Sequence, residues 1–298
     1  MEKPETTIKM FVRAAMSPAF PLLIFLAFLA LALMLRSGLV RQDNTQIEQN
    51  LQNEARALAD NLEREFNIHT QAIGRMANRM KIEQNFDEPQ WRADARNYLD
   101  DFGVYQAIEW IDSDFIIRWL EPVTDNQDVI GYNVAFNDTR RQALERAAAT
   151  GEYNLSSIID LRQGGKGMVI YHPVGAGDNN NGFIAGVFRM ETLAQQLLTS
   201  RMLEQFQVII RYGGDSVYQL NASADITPGF SQTLAVDLPN LDWRLTLRPS
   251  QSWVAAQRSS WPNVTFISLL LMGILTSLTT LLVQLILRRN QALLKTRQ

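Results

Sequence analysis

LRQGGKGMVIYHPV, residues 161–174, decides between two folds. Three glycines and a lysine ahead of an apolar run are either a phosphate-cradling loop or a tight turn into a strand. The first would open a helix in a parallel α/β sheet; the second belongs to an antiparallel one. A P-loop requires G-x-x-x-x-G-K-[ST]. Five residues before Gly165 stands Asp160, and Gly167 follows Lys166, so no hydroxyl is placed for Mg²⁺. MVIYHPV is rich in β-branched and aromatic residues and ends at Pro173, which favours a strand. The reading is a glycine turn into a strand, with Lys166 as a loop charge, and it argues against nucleotide hydrolysis.

The neighbouring segments agree with an antiparallel α+β fold. GFIAGVFRM follows as a second strand, across the turn-rich GAGDNNN. YQAIEWID and FIIRWLEP, separated by Ser113–Asp114, predict a hairpin. NDTRRQALERAAATG predicts a helix capped by Asn137 or Asp138 and stopped at Gly151. FDEPQWRADARNYLDDF predicts a helix with Asp87 as cap and Pro89 in its first turn. METLAQQLLTSRMLEQF predicts one amphipathic helix, and FQVIIRY, SVYQL, QTLAVDL and WRLTLRP four further strands. Strands, helix, strands, helix, strands without regular β-α-β alternation indicate two successive modules with mostly antiparallel sheets.

The two ends differ from the middle. Pro18–Leu35 runs 18 residues without a charge and Val264–Leu287 runs 24. Both can cross a hydrocarbon core of about 30 Å. RRNQALLKTR after the second run carries four bases and no acid, which assigns that end to the cytoplasm. Both termini then lie inside, and residues 37 to about 260 face the periplasm. Between the first span and the modules, Ile47, Leu51, Ala55, Leu58, Leu62, Phe66, His69, Ile73, Met76 and Met80 recur at a mean step of about 3.7 residues. This predicts a long stalk helix with one apolar face, covered either by its own domain or by a second copy.

Little chemistry is visible. The chain has no cysteine, which removes disulfides, thiolate metal sites and cysteine nucleophiles. A net charge of −3 gives no reason to expect nucleic acid. Two histidines, His69 and His172, are too few for a zinc site without placed carboxylates. No G-x-S-x-G elbow is present. No cofactor or metal is expected, and an extracytoplasmic enzyme lacks a catalytic constellation. The remaining candidates are polar and aromatic groups on sheet faces. Alternation places Tyr105, Ala107, Glu109 and Ile111 on one face and Gln106, Ile108, Trp110 and Asp112 on the other, with Arg118 and Trp119 alternating in the next strand. Such groups make either a ligand pocket or ordinary cross-strand pairs.

YQAIEWIDSDFIIRWLEPVTDN, then IGYNVAFNDTRRQALERAAATGEYNLSSIIDLRQGGKGMVIYHPV, then GFIAGVFRMETLAQQLL resemble the CHASE domain over about residues 80–200. The resemblance implies an extracytoplasmic sensor between two membrane spans, a stalk helix carrying two tandem PAS-like modules, and a small ligand in the membrane-distal one. It implies a cytoplasmic N-terminus over 1–17, spans at 18–36 and 263–287, and a stalk over 43–82. A distal module follows over 83–188, a connecting helix and proximal module over 189–260, and a cytoplasmic signalling helix from 288. The output domain, a histidine kinase or a diguanylate cyclase in a bacterial inner membrane, would lie beyond residue 298. Cytokinin-binding members place an Asp where this chain has Asn133, a Thr where it has Tyr171, and loop contacts near Leu155–Ser157. Both departures argue against an adenine-type cytokinin. The resulting ligand-contact set is Asn133, Tyr171, Ser156, Trp110, Glu109 and Arg118, with a homodimer through stalk and spans. A chemoreceptor-type input module and a non-sensory scaffold holding a periplasmic protein are the alternatives.

Overall fold

The computed structural model describes residues 17–83, 87–124, 126–161, 164–198, 200–212, 215–221, 225–239 and 241–295. Contacts divide the chain into two compact units, one of residues 1–47 with 255–298 and one of residues 48–254.

A single helix, α1 (Phe20–Ile82), runs through the first apolar segment and the predicted stalk without a break. No proline interrupts it after Pro21. In the first unit, α1 packs against α7 (Trp261–Lys295), the second apolar helix. The Gln284 side chain donates to the Ser17 carbonyl at 3.1 Å and Ser277 Oγ to the Pro21 carbonyl at 2.9 Å. Both helices are long and apolar enough to cross a membrane, and their apolar windows are almost wholly exposed. The predicted termini at 1–16 and 296–298 lie outside the described residues.

In the second unit, α2 (Glu88–Phe102) begins with a capping box between Asp87 and Gln90 and ends at Gly103 in the left-handed region. β1 (Tyr105–Ile111) and β2 (Ile117–Glu121) form the predicted hairpin. α3 (Asp138–Thr150) is capped by Asn137 and closed by Gly151. Short strands β3 (Asn154–Leu155) and β4 (Ile159–Asp160) pair with β5 (Lys166–Pro173), and β6 (Phe183–Arg189) follows. The first sheet has the order β2-β1-β6-β5-β3 with β4 also on β5, all antiparallel. Gly164 and Gly165, both with positive φ, make the β4–β5 turn, and Lys166 pairs with Asp160 at 2.9 Å. The glycine stretch is therefore a hairpin turn.

The predicted single helix after β6 is two: α4 (Met190–Leu197) and α5 (Ser200–Gln205). Leu198 ends α4 with extended backbone. β7 (Phe206–Tyr212), β8 (Asp215–Leu220), β9 (Gln232–Leu238) and β10 (Leu241–Pro249) make the second antiparallel sheet, order β8-β7-β10-β9. A short α6 (Gln251–Gln257) follows.

From Leu51 onward, the apolar face of α1 serves both sheets. Leu51, Ala55, Leu58, Leu62, Phe66, Ile73 and Met76 are buried within the single chain. Phe66 meets Phe188 of the first sheet and Trp243 of the second, each with ring centroids 5.9 Å apart. The stalk's apolar face is thus covered by its own domain and is not open for a partner helix.

Candidate functional site

Antiparallel register places Leu120, Glu109, Ala185, Tyr171 and Asn154 across one rung of the first sheet. Facing partners on a rung project to the same side. Glu109 and Tyr171 therefore stand on one face, with the small Ala185 between them. α3 covers that face. Asn137 caps the helix by accepting from the Arg140 backbone N–H at 3.0 Å, which fixes Arg140 in the first turn. Its side chain then reaches down to the sheet. Arg140 Nε donates to Tyr171 Oη at 2.7 Å. Arg140 Nη2 stands 3.7 Å from Glu109 Oε2, within ion-pair range but too long for a hydrogen bond. Glu109 Oε2 has no hydrogen-bond partner among the described residues.

All three side chains are buried, within an apolar cluster that includes Ile111, Leu120, Val134, Leu144, Val169 and Phe183. Burial pushes the Glu109 carboxyl up, opposed by Arg140. Burial also raises the Tyr171 phenol, again opposed by Arg140. For Arg140, burial acts downward but is outweighed by Tyr171 and Glu109, so the guanidinium stays charged. Two features make this trio costly. A cation in the first turn opposes the helix macrodipole. A buried ion pair that lacks its hydrogen bond does not recover its desolvation energy. The arrangement sets a cation, a carboxylate and a phenol side by side beneath α3.

The other face of the first sheet lies against α1, with His172 on the sheet and His69 on the helix. His69 Nδ1 is 3.1 Å from Tyr105 Oη, and the ring is boxed by Phe102, Tyr105 and Phe188. It is a packed core histidine, as its place on the apolar helix face predicts. His172 lies over Gly74, where an added Cβ would come within 2.8 Å of its Nε2. The glycine in the stalk is thus a clearance for the histidine ring.

One face assignment is corrected. Alternation puts Tyr105 beside Ala107 and Glu109, but a register shift between Tyr105 and Ala107 turns it to the α1 side. A bulge inserts a residue and inverts the pattern beyond it.

The other predicted contacts are distributed around this site. Trp110 is on the opposite face from Glu109, its ring 4.3 Å from Trp119, which also meets Trp91 of α2. Arg118 is exposed and pairs with Asp112 at 2.5 Å. Ser156 Oγ accepts from the Val169 N–H at 2.9 Å and donates to the Ser157 carbonyl. The Asn133 side chain accepts from the Ala135 N–H and donates to the Asp114 carbonyl, and so fastens residues 130–134 along the β2 edge. Glu109 and Tyr171 are the two that the fold brings together. Arg140 was not singled out by spacing. Its signal is a cation in the first turn of a capped helix, where an acid is favoured.

This architecture, two antiparallel sheets seated on one long helix, is a fold shared with solved receptor ligand-binding domains. The fold is similar to an extracellular ligand-binding receptor from Desulfohalobium retbaense DSM5692 (TM-score 0.56, 16% identity, 67% of this chain and 40% of that one). It is also similar to the ligand-binding domain of the Pseudomonas fluorescens chemoreceptor CtaA in complex with L-alanine (0.53, 13%, 69% and 97%). A third is the ligand-binding domain of the Pseudomonas aeruginosa PAO1 amino acid chemoreceptor PctB in complex with L-Gln (0.55, 13%, 74% and 98%). The chain thus spans well under half the length of the Desulfohalobium receptor. No curated protein matches the sequence. The CHASE domain family matches residues 51–222, more than half of the chain, and the chain belongs to that family.

Proposed function

We propose that this chain is the sensory input module of a two-span bacterial signalling receptor. In this reading the first sheet belongs to a PAS-like module over residues 83–188, distal to the membrane, and the second to a proximal PAS-like module over 189–260. A small molecule enters beneath α3 and contacts Arg140, Glu109 and Tyr171, with Asn133 and Ser156 at the margin. The observation that carries the reading is the buried Glu109–Arg140–Tyr171 trio, a set of charges placed in an apolar core at a cost to stability. The carboxylate of a ligand would match Arg140 and its ammonium would match Glu109. Amino acids, the ligands named for the CtaA and PctB domains, carry both groups.

A ligand shifts the receptor only by its differential affinity for two states. The face against α3 and the face against α1 belong to the same sheet, so a ligand that moves strands β1 and β5 also alters the seat of α1. From there the change passes along α1 to the membrane, and to a kinase or diguanylate cyclase beyond residue 298. With both termini cytoplasmic, the sensor domain faces the periplasm. The likeness to chemoreceptor domains favours a second reading of the output, a chemotaxis coil.

Thermal unfolding of the chain in detergent, with each of the twenty amino acids as probe, L-alanine and L-glutamine first, tests the proposal. A rise in Tm that is abolished in Arg140→Lys and Tyr171→Phe is expected. The absence of any rise across the twenty amino acids, or a rise unchanged in both variants, would refute this site.

A further inference from the structure

A recess lies beside α1, away from the α3-covered face. It has a volume of about 450 Å³ and is lined by residues from three parts of the chain. α1 contributes Asp60, Glu63, Arg64, Phe66, Asn67 and Thr70; Tyr153 and Leu155 stand at the entry to and in β3; Asp237 and Leu238 end β9, and Pro239 follows them. It is therefore the place where the helix, the first sheet and the second sheet meet. Phe66, whose ring touches both sheets, forms part of its wall.

The chemistry of this crevice has a definite sign. Three carboxylates line it against one guanidinium. Arg64 directs Nη1 to the Asn61 side-chain oxygen at 2.9 Å. Glu63 Oε1 accepts from the Asp237 N–H at 2.6 Å and holds the end of β9 to the helix. Asp60 and Asp237 are exposed at the rim, and among the described residues no hydrogen bond or ion pair engages their carboxylates. Phe66, Tyr153, Leu155, Leu238 and Pro239 supply apolar and aromatic walls. Acids at the rim with aromatic faces inside recognise an ammonium group by charge and by its attraction to the ring quadrupole. The volume lies within the range of small-molecule sites.

We propose that this crevice binds a small organic cation, one or two primary ammonium groups on a short apolar chain, and that its occupation clamps the end of β9 and β3 against α1. The site is independent of the trio under α3. It gives the domain a second input at the junction of the two sheets.

Isothermal titration of the whole chain in detergent with 1,4-diaminobutane tests this, with succinate as the probe of equal carbon number and opposite charge. Saturable binding of the diamine and none of succinate is expected. Asp60→Asn and Asp237→Asn should each weaken it about fivefold, the scale of an exposed ion pair. Tyr153→Leu should weaken it by a similar factor through loss of the aromatic wall. Arg140→Lys should leave it unchanged. Equal binding of succinate, no saturable heat, or wild-type affinity in both aspartate variants would overturn the proposal. So would loss of diamine binding in Arg140→Lys with retention in the aspartate variants, which would move the ligand to the α3-covered face.

Discussion

Acidification should loosen the seat of α1 through one residue. His69 is 2% exposed, its Nδ1 is satisfied by Tyr105, and its Nε2 has no hydrogen-bond partner among the described residues. The surroundings are Phe102, Tyr105 and Phe188, with Glu65 on the same helix at 3.5 Å from Nε2. Burial lowers the imidazole from 6.5 to about 4. The folded state therefore holds fewer protons than the unfolded chain between these values. The stability contribution is whole above pH 6.5 and is lost as pH falls towards 4, a loss of about 3 kcal/mol. Glu65 opposes part of this, since its carboxylate can accept the new N–H. That carboxylate is 41% exposed, so its attraction is screened and the loss persists. The assay is urea unfolding of the chain in detergent at pH 7 and pH 4, followed by tryptophan fluorescence, for wild type and His69→Gln. Every other pH effect is common to both proteins, so the difference between their two stability changes isolates His69. Wild type should lose about 2–3 kcal/mol more than the variant. Parallel pH dependence in the two proteins would refute the reasoning.

Gly74→Ala should destabilise the second unit by about 1–3 kcal/mol, because its Cβ meets the His172 ring at 2.8 Å, and His172→Ala in the same chain should restore most of it. Tyr171→Phe removes a buried partner of a charged group and should cost about 1.5–3 kcal/mol in urea unfolding. Single cysteines at Leu58, Leu62 or Phe66 should give no crosslink between copies, since these side chains are buried in their own chain. Cysteines at the exposed Asn61, Arg64 or Ile68 are the positions to crosslink in any dimer through this helix, and strong crosslinking at Leu62 would show that the stalk face opens. Asp87→Ala removes the capping box of α2 and should lower stability by about 1 kcal/mol, read as a fall in Tm.

The elements with local chemical signals were legible from the residues alone. Asp87, Asn137, Gly103 and Gly151 bound two helices through side-chain and left-handed caps that need only neighbouring residues. The glycine turn before MVIYHPV, the β1–β2 hairpin and the two long apolar helices follow from equally local rules. The split between α4 and α5 was not legible, because the apolar pattern continues across it.

The site itself needed the fold. Glu109, Arg140 and Tyr171 are separated by 31 residues at each step, and only strand register and the packing of α3 on the sheet bring them together. Alternation assigned Glu109 its face correctly and Tyr105 the wrong one, since a bulge is not encoded in the period of the strand. Whether the stalk's apolar face meets its own domain or another copy was likewise open in the sequence. Periodicity determines that a face must be buried; the tertiary structure decides what buries it, because burial is a relation between distant segments. Here two sheets from the same chain cover it, and the crevice at their meeting point exists only because they do.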